Sequence, residues 1–256
     1  MPDYSLIDIP PLLNMMFHPR QAYTLCPGNA FDFLTTVDEG VEIAARFYPK
    51  GTDSPTILYF HGNGEVIYDY DGIAPFYHEC GLNLVVADYR GYGASGGVPT
   101  FTNLCKDAKS ILKSVKKEMA ERGYADDLWI MGRSLGSISA LELAAHEPSQ
   151  IKGLIIESGF ANILNVMKPW ADFIAEMSLP QFDRACLELI QKITVPTLLL
   201  HGDEDDIVPY SEADAIYENL GSSDKKMVVI EYANHNDIMF RGFELYFQAI
   251  VEFCSI

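Results

Sequence analysis

The sequence predicts an α/β fold with a mostly parallel central sheet and helices on both of its faces. Six short apolar runs recur along the chain, and they lack the polar alternation of a half-exposed strand. Such runs are typical of strands that are buried on both sides. Strands that alternate with helical segments join into a parallel sheet through crossovers. The six predicted strands are 56–60, 84–87, 128–131, 154–156, 197–200 and 227–230.

An arm and a hairpin are expected ahead of these strands. Residues 1–28 are rich in proline and apolar side chains, which favours an irregular arm that lies over the body of the protein. Residues 31–37 and 41–48 predict two strands around the turn at 38–40, where Asp-Glu-Gly stands. These strands would extend one edge of the sheet in antiparallel fashion.

Three helices follow from apolar periodicity and from stop signals. Residues 102–122 end before Gly123, and residues 135–146 end before Pro148. Residues 240–253 predict an amphipathic closing helix.

Residues 160–192 break the alternation and predict a short helical cap inserted into a single domain of residues 1–256. Large apolar side chains recur there at roughly helical spacing. Either they line an acyl pocket, or they form the inward stripe of two helices packed on the sheet. These side chains are Phe160, Met167, Trp170, Phe173, Met177 and Phe182.

Charge and hydropathy exclude several function classes. The net charge is −18, so the surface would repel a phosphate backbone and no nucleic-acid partner is expected. The sequence contains no run of about 18 apolar residues, so no integral membrane segment is predicted. The N-terminus lacks the basic and apolar regions of a signal peptide, which favours a cytoplasmic protein. The oligomeric state is left open.

Five widely spaced cysteines include no CxxC pair, so we expect neither a metal site nor a redox motif. They are interpreted as reduced thiols that serve as small buried apolar side chains. They are Cys26, Cys80, Cys105, Cys186 and Cys254.

The pentapeptide GRSLG at 132–136 follows a predicted buried strand and opens a predicted helix. The GxSxG pattern alone is weak, and its setting carries the interpretation. A tight turn there would present Ser134 as a nucleophile at the end of the sheet. Glycine fits positions 132 and 136 because a side chain would collide with the neighbouring strand or helix. The alternative is an ordinary helix N-cap serine.

A serine nucleophile needs a base and an orienting acid, and we expect both at the ends of later strands. Residues 201–209 offer four carboxylates directly after a strand, and Asp205 is the candidate acid. The others are interpreted as turn or cap residues that face water. His235 is the candidate base because it follows the last strand and precedes the last helix. His61 and His201 are expected to bond backbone groups in turns instead.

Two loops complete the predicted site. In the segment HGNGE at 61–65, we expect the Asn63 N–H to bind an oxyanion together with the Leu135 N–H. Gly64 is the alternative donor to Asn63. The segment could also be an ordinary glycine turn without a catalytic role. The glycine-rich segment at 88–97 neither opens a helix nor contains GK[ST]. It is therefore interpreted as a structural loop braced by Arg90, and no phosphate loop is expected.

These motifs make residues 31–254 resemble the α/β-hydrolase superfamily, and more narrowly its lysophospholipase-like and serine-aminopeptidase-like serine hydrolases. The resemblance rests on HGNGE, DYRGYGASGG, GRSLGS, HGDEDDIVP and NHND, in that order. It implies the α/β-hydrolase fold. It also implies Asp205 as the acid, three residues ahead of Val208-Pro209, and Asn63 as an oxyanion donor. Some branches that act on membrane proteins carry a cysteine-rich N-terminus, and the first 79 residues here contain only Cys26.

Three functions remain open on this evidence. The first is an esterase or thioesterase that acts on a small-molecule acyl substrate without a metal or organic cofactor. The second is a peptidase or amidase with the same triad, for which Glu157 or the acids at 203–206 would have to bind the substrate amine. The third is a non-catalytic protein that holds a ligand beneath the cap.

Overall fold

One mixed sheet of eight strands organises the molecule. The structure is a computed structural model, and it describes residues 2–168 and 179–254. The strands are β1 (Phe31–Asp38), β2 (Val41–Tyr48), β3 (Thr56–Phe60), β4 (Asn83–Ala87), β5 (Leu128–Arg133), β6 (Leu154–Glu157), β7 (Thr197–Gly202) and β8 (Lys225–Ile230). Their order across the sheet is β1-β2-β4-β3-β5-β6-β7-β8.

The sheet is parallel except at one edge. β1 pairs antiparallel with β2, and β2 pairs antiparallel with β4. Every other pairing is parallel. The predicted α/β architecture and its hairpin edge are therefore confirmed. Parallel pairing also brings the carboxyl ends of β3 and β5 to β8 to the same side of the molecule, where α/β proteins place their ligands.

Helices cover both faces of the sheet. The larger apolar cluster lies between one face and helices α1 and α3 to α7, and the smaller cluster lies between the other face and α2, α8 and α9. The helices are α1 (Pro10–Met16), α2 (Ala74–Glu79), α3 (Phe101–Glu121), α4 (Ser137–His146), α5 (Ile163–Met167), α6 (Pro180–Gln191), α7 (Tyr210–Asn219), α8 (Ile238–Arg241) and α9 (Phe243–Phe253).

Local sequence accounts for both ends of α3. The Thr100 side chain accepts a hydrogen bond from the Asn103 N–H and caps the helix start. Gly123 has a φ of 76° just beyond the helix end, a conformation that glycine adopts without a steric penalty. The predicted and observed bounds of this helix agree within one residue.

Two segments depart from the sequence expectations. Within the arm at 1–28, which was expected to be irregular, Pro10–Met16 form helix α1. Pro10 and Pro11 occupy its first two positions, where a backbone N–H would have no acceptor within the helix, so proline is tolerated there. The predicted closing helix is interrupted at Gly242, where a side chain would overlap Ile230. Helix α7 was not predicted.

The cap segment contains α5 and α6, whereas Trp170, Phe173 and Met177 lie outside the described residues. Buried Phe182 contacts the ring of Tyr4 edge-on, at 5.7 Å between centroids. Phe182 therefore packs inward against the N-terminal segment.

All five cysteines are unpaired in the described chain. Three of them are buried as expected, but Cys26 and Cys80 are only half-buried. Across residues 2–168 and 179–254, no helix has both the length and the apolar character that a membrane crossing requires.

Candidate active site

Ser134 lies in a sharp turn between β5 and α4. Its backbone has a φ of 49°, in the left-handed region that non-glycine residues rarely occupy. A Cβ atom at Gly132 would lie 2.7 Å from the Ala140 Cβ, and one at Gly136 would lie 2.6 Å from the Phe60 carbonyl carbon. Both glycines therefore allow the turn to pack against neighbouring backbone and helix, which is the geometry that the GxSxG setting predicts.

His235 lies beside Ser134, although 101 residues separate them in the chain. Its Nε2 atom is 2.9 Å from the Ser134 Oγ. Both residues are buried, so bulk water competes little for this hydrogen bond. His235 reaches this position because the loop after β8 folds back across the end of β5.

Asp205 holds the other side of the imidazole. Its Oδ2 atom lies 2.8 Å from the His235 Nδ1, and its Oδ1 atom accepts the Val208 N–H at 2.7 Å. Burial would raise the pKa of this carboxyl, but the hydrogen bond and charge of His235 together with the Val208 N–H outweigh burial and lower it. An ionised carboxylate at Nδ1 favours the tautomer in which Nε2 accepts the Ser134 hydroxyl proton.

The three competing carboxylates of this loop point elsewhere. Asp203 accepts the Tyr232 N–H at 2.6 Å, and Glu204 and Asp206 are exposed to water. Of the four acids at 203–206, the structure brings Asp205 to the histidine.

Asn63 lies in the loop after β3, and Leu135 directly follows the nucleophile at the start of the next helical turn. Among the described residues, neither backbone N–H donates to a protein acceptor. The Asn63 side chain is fixed separately: its Oδ1 accepts the Tyr92 hydroxyl at 2.7 Å, and its Nδ2 donates to the Met16 carbonyl. Both main-chain donors therefore remain available to a ligand.

A cavity of about 530 Å³ opens over Ser134. Its walls are mainly apolar, and they come from the N-terminal arm, from the cap segment and from the loop after β7. The apolar lining residues are Met15, Met16, Phe160, Val166, Met167, Ile207 and Val208. Phe160 and Met167 of the 160–192 segment thus face the cavity.

Sequence reasoning missed the contribution of the N-terminal arm. Besides lining the cavity, the arm holds the Asn63 loop, because the His18 N–H donates to the Asn63 Oδ1 at 3.1 Å. Pro10-Pro11 ahead of an apolar stretch was the available signal for a helix, but nothing local indicated its contact with residue 63.

The remaining polar motifs have structural partners. The His201 Nε2 lies 2.9 Å from the Val208 carbonyl, and the His61 ring contacts the Gly62 carbonyl and Asp88. Arg90 binds Asp107 and braces the 88–97 loop as expected.

Glu157 is not free to bind a substrate amine. It is 1% exposed, and its two oxygens accept hydrogen bonds from Arg133 at 3.1 Å and from Tyr246 at 2.6 Å. The peptidase hypothesis would use the Glu157 carboxylate to bind the substrate amine. That carboxylate is therefore already engaged within the protein.

Solved structures with the same fold include several esterases. Pyrococcus furiosus esterase Pf2001 superposes with a TM-score of 0.76 at 20% identity, covering 94% of this chain and 98% of that chain. Est1E of Butyrivibrio proteoclasticus, solved with ferulic acid bound, gives 0.68 at 21% identity over 87% and 98% of the two chains. Paleococcus ferrophilus monoacylglycerol lipase gives 0.63 at 20% identity over 84% and 98%. These similarities confirm the α/β-hydrolase fold.

Sequence relatives are found in bacteria and eukaryotes. Human alpha/beta hydrolase domain-containing protein 17B is 29% identical over 228 residues, which cover 87% of this chain and 74% of the relative. Protein bem46 of Schizosaccharomyces pombe is 29% identical over 209 residues, covering 78% and 67%. The uncharacterized protein YfhR of Salmonella typhimurium is 25% identical over 263 residues, covering 94% and 87%.

The family model described as serine aminopeptidase, S33, matches residues 52–185 and 177–239. The two matched ranges span β3 to the loop that carries His235, and so they include the nucleophile turn and every loop described above. They also cover more than half of the chain. The chain therefore belongs to the serine aminopeptidase S33 family and is a hydrolase of the α/β-hydrolase superfamily.

Proposed function

We propose that this hydrolase cleaves carboxylic esters or thioesters through a Ser134–His235–Asp205 triad. The observation that carries the proposal is the continuous hydrogen-bond path from the Ser134 Oγ through both imidazole nitrogens to the Asp205 carboxylate. A serine hydroxyl is a weak nucleophile on its own, and such a path supplies the base and the orienting acid that it needs.

In the proposed reaction, the Ser134 Oγ attacks the substrate carbonyl carbon while its proton passes to the His235 Nε2. The imidazolium is stabilised by Asp205. The Asn63 and Leu135 N–H groups hold the tetrahedral oxyanion, and each such donor is worth about 10²–10³-fold in rate. His235 then protonates the leaving alcohol or thiol as the carbon–oxygen or carbon–sulfur bond breaks. Water deprotonated by His235 then attacks the acyl carbon, the bond from that carbon to the Ser134 Oγ breaks, and His235 returns the proton to the Oγ as the acid is released.

The cavity supports a small or medium apolar acyl group as the substrate. Its apolar walls can bury an acyl chain next to Ser134, and each buried methylene contributes about 0.8 kcal/mol. Residues 160–192 would act as the cap, with Phe160 and Met167 as acyl-contacting side chains. The fold is similar to those of an esterase and a monoacylglycerol lipase, and this similarity accords with the proposed substrate class.

An ester is favoured over a peptide substrate because Glu65, the one carboxylate among the described residues that line the cavity, already binds Arg133. Glu157 is engaged, Asp205 faces His235, and Asp203 binds the backbone of residue 232. The family description names an aminopeptidase, so aminoacyl amides remain the comparison substrates of choice.

The test is turnover of p-nitrophenyl esters of graded chain length, beside aminoacyl p-nitroanilides, together with labelling by a fluorophosphonate probe. Ser134→Ala should abolish labelling and lower ester turnover by at least about 10³-fold. Ser139→Ala is the matched control. Ser139 is also a buried serine, but it lies in α4 and its hydroxyl donates a hydrogen bond to the Leu104 carbonyl. A wild-type protein that is neither labelled nor active on any acyl substrate would refute the proposal and favour a ligand-binding protein.

A further inference from the structure

The side chain of Arg133, directly before the nucleophile, joins two loops of the site and the end of β6. We infer that Arg133 is a positioning residue that fixes the His235 loop and the Asn63 loop relative to Ser134. This inference rests on the proposed function, because it assigns Arg133 a role in that triad. A residue at this position needs no polar side chain to build the turn, so its contacts require a separate explanation.

The first contact is with the loop that carries the base. The Arg133 Nη2 donates to the His235 backbone carbonyl at 2.8 Å and to the Asn236 Oδ1 at 3.2 Å. Both bonds bridge about one hundred residues of chain and end at the base itself or its neighbour. The guanidinium therefore fixes the main chain from which the imidazole projects.

The second contact is with the loop that carries the proposed oxyanion donor. The Arg133 Nη1 binds one oxygen of Glu65, and the other oxygen accepts the Gly62 N–H at 2.8 Å and the Tyr70 hydroxyl at 2.8 Å. A side chain at Gly62 would overlap the Arg133 guanidinium. Gly62 immediately precedes Asn63, so this chain of contacts sets the position of the Asn63 N–H.

The third contact anchors the guanidinium itself. The Arg133 Nε donates to the Glu157 Oε1 at 3.1 Å, and the Tyr59 and Tyr246 hydroxyls hold the Oε2 of Glu157. Burial would raise the pKa of Glu65, but the charges of Arg133 and His61 and the hydrogen bonds from Tyr70 and Gly62 together outweigh burial and lower it. The pair is thus ionised and hydrogen-bonded, which is the condition under which buried charges are tolerated.

Space beside the guanidinium makes a direct test feasible. A cavity of about 190 Å³ is lined by Arg133, Glu65, Glu157 and Asn236. Shortening Arg133 to alanine would connect this cavity to the vacated position of the guanidinium. Millimolar guanidinium ion could then occupy that position, whereas urea has a similar shape but no charge.

The experiment compares Arg133→Ala with Arg46→Met. Arg46 is also a buried arginine with two carboxylate partners, Asp32 and Asp71, but it lies on β2 away from the cavity over Ser134. We expect Arg133→Ala to lower kcat by about 10²-fold with little change in KM, because a misplacement of about 1 Å costs that much. Guanidinium should restore part of kcat, and urea should not. Arg46→Met should leave kcat unchanged.

Amide hydrogen exchange provides a readout that does not depend on activity. In Arg133→Ala, exchange should accelerate in residues 62–65 and 234–237 while the strands of the sheet keep their protection. Unchanged exchange in both loops, or wild-type kcat, would overturn the inference. So would a loss of kcat that guanidinium fails to restore. An unlabelled, inactive wild type would instead refute the proposed function, and loop exchange would still decide whether Arg133 positions the two loops.

Discussion

Replacing Gly136 with alanine tests how tightly the nucleophile turn is fitted against β3. An added Cβ would lie 2.6 Å from the Phe60 carbonyl carbon and 2.9 Å from the His61 carbonyl oxygen. Carbon atoms in contact prefer about 3.5 Å or more, so the turn and the end of β3 must separate by about 1 Å. Gly136 has a φ of −64°, which alanine adopts freely, so the effect is steric alone.

The expected consequence is a larger loss of activity than of stability. Overpacking of this kind costs about 1–3 kcal/mol of unfolding free energy. The Asn63 loop follows β3 directly, so the same 1 Å shift displaces one proposed oxyanion donor from the Ser134 hydroxyl and should slow fluorophosphonate labelling by about 10²-fold.

Labelling kinetics and thermal unfolding of the same samples separate the two effects. Gly72→Ala is the matched control, because nothing lies within 4 Å of an added Cβ at this exposed glycine and its φ is not positive. A Gly136→Ala protein that labels at the wild-type rate would refute the reasoning, whatever its melting temperature. The same holds if Gly72→Ala slows labelling equally.

Three further substitutions test the acid, the core and the cavity. Asp205→Asn should slow ester turnover by about 10²–10⁴-fold. The pKa of Asp205 in the folded protein lies below its ordinary value of 3.8, so the ionised carboxylate stabilises the fold above pH 3.8. In denaturant titrations this stabilisation should disappear as the pH falls through the folded pKa. Glu142→Met should raise the unfolding free energy at pH 8 by about 1 kcal/mol or more, because Glu142 is 1% exposed and burial raises the pKa of its carboxyl despite the His146 imidazole nitrogen 3.0 Å away. The gain should shrink as pH falls and the carboxyl becomes protonated, and a gain that stays constant with pH would contradict this account. Val166 lines the cavity, so Val166→Trp should lower turnover of long-chain acyl esters but leave turnover of the acetate ester unchanged. An equal loss of turnover for all chain lengths would show that Val166 does not contact the acyl chain.

The parts of the site that sequence predicted are those with local signals. Ser134 was identified from the glycines at 132 and 136 and from the strand and helix around them, and these requirements act over a few residues. The buried strands were found for the same reason, because apolar runs report burial on both faces. His235 followed from its place after the last strand, since parallel strands end on one side of the sheet.

The parts that sequence did not reveal depend on long-range side-chain contacts. Arg133 meets Glu65 across 68 residues and the His235 carbonyl across 102, and no local period reports such pairs. The choice of Asp205 among the four acids at 203–206 rested partly on the family resemblance, because no local signal distinguishes these acids. Helix α7 was missed because its apolar face is narrow: Ala213 and Ile216 are its buried apolar residues, in a helix of ten residues.

The strain at Ser134 explains why the turn and the cavity wall should tolerate change differently. A left-handed serine costs about 1–3 kcal/mol and persists only where neighbours over-determine it. Here the neighbours are the backbone packed against Gly136, the Ser137 hydroxyl that donates to the Ser134 carbonyl at 2.6 Å, and the side chain of Arg133. The apolar cavity walls come from the arm, the cap segment and the loop after β7, and none of these supplies one of the contacts just named. Substrate range can therefore shift through wall residues such as Val166 without disturbing the nucleophile, whereas changes in the turn should affect every substrate alike.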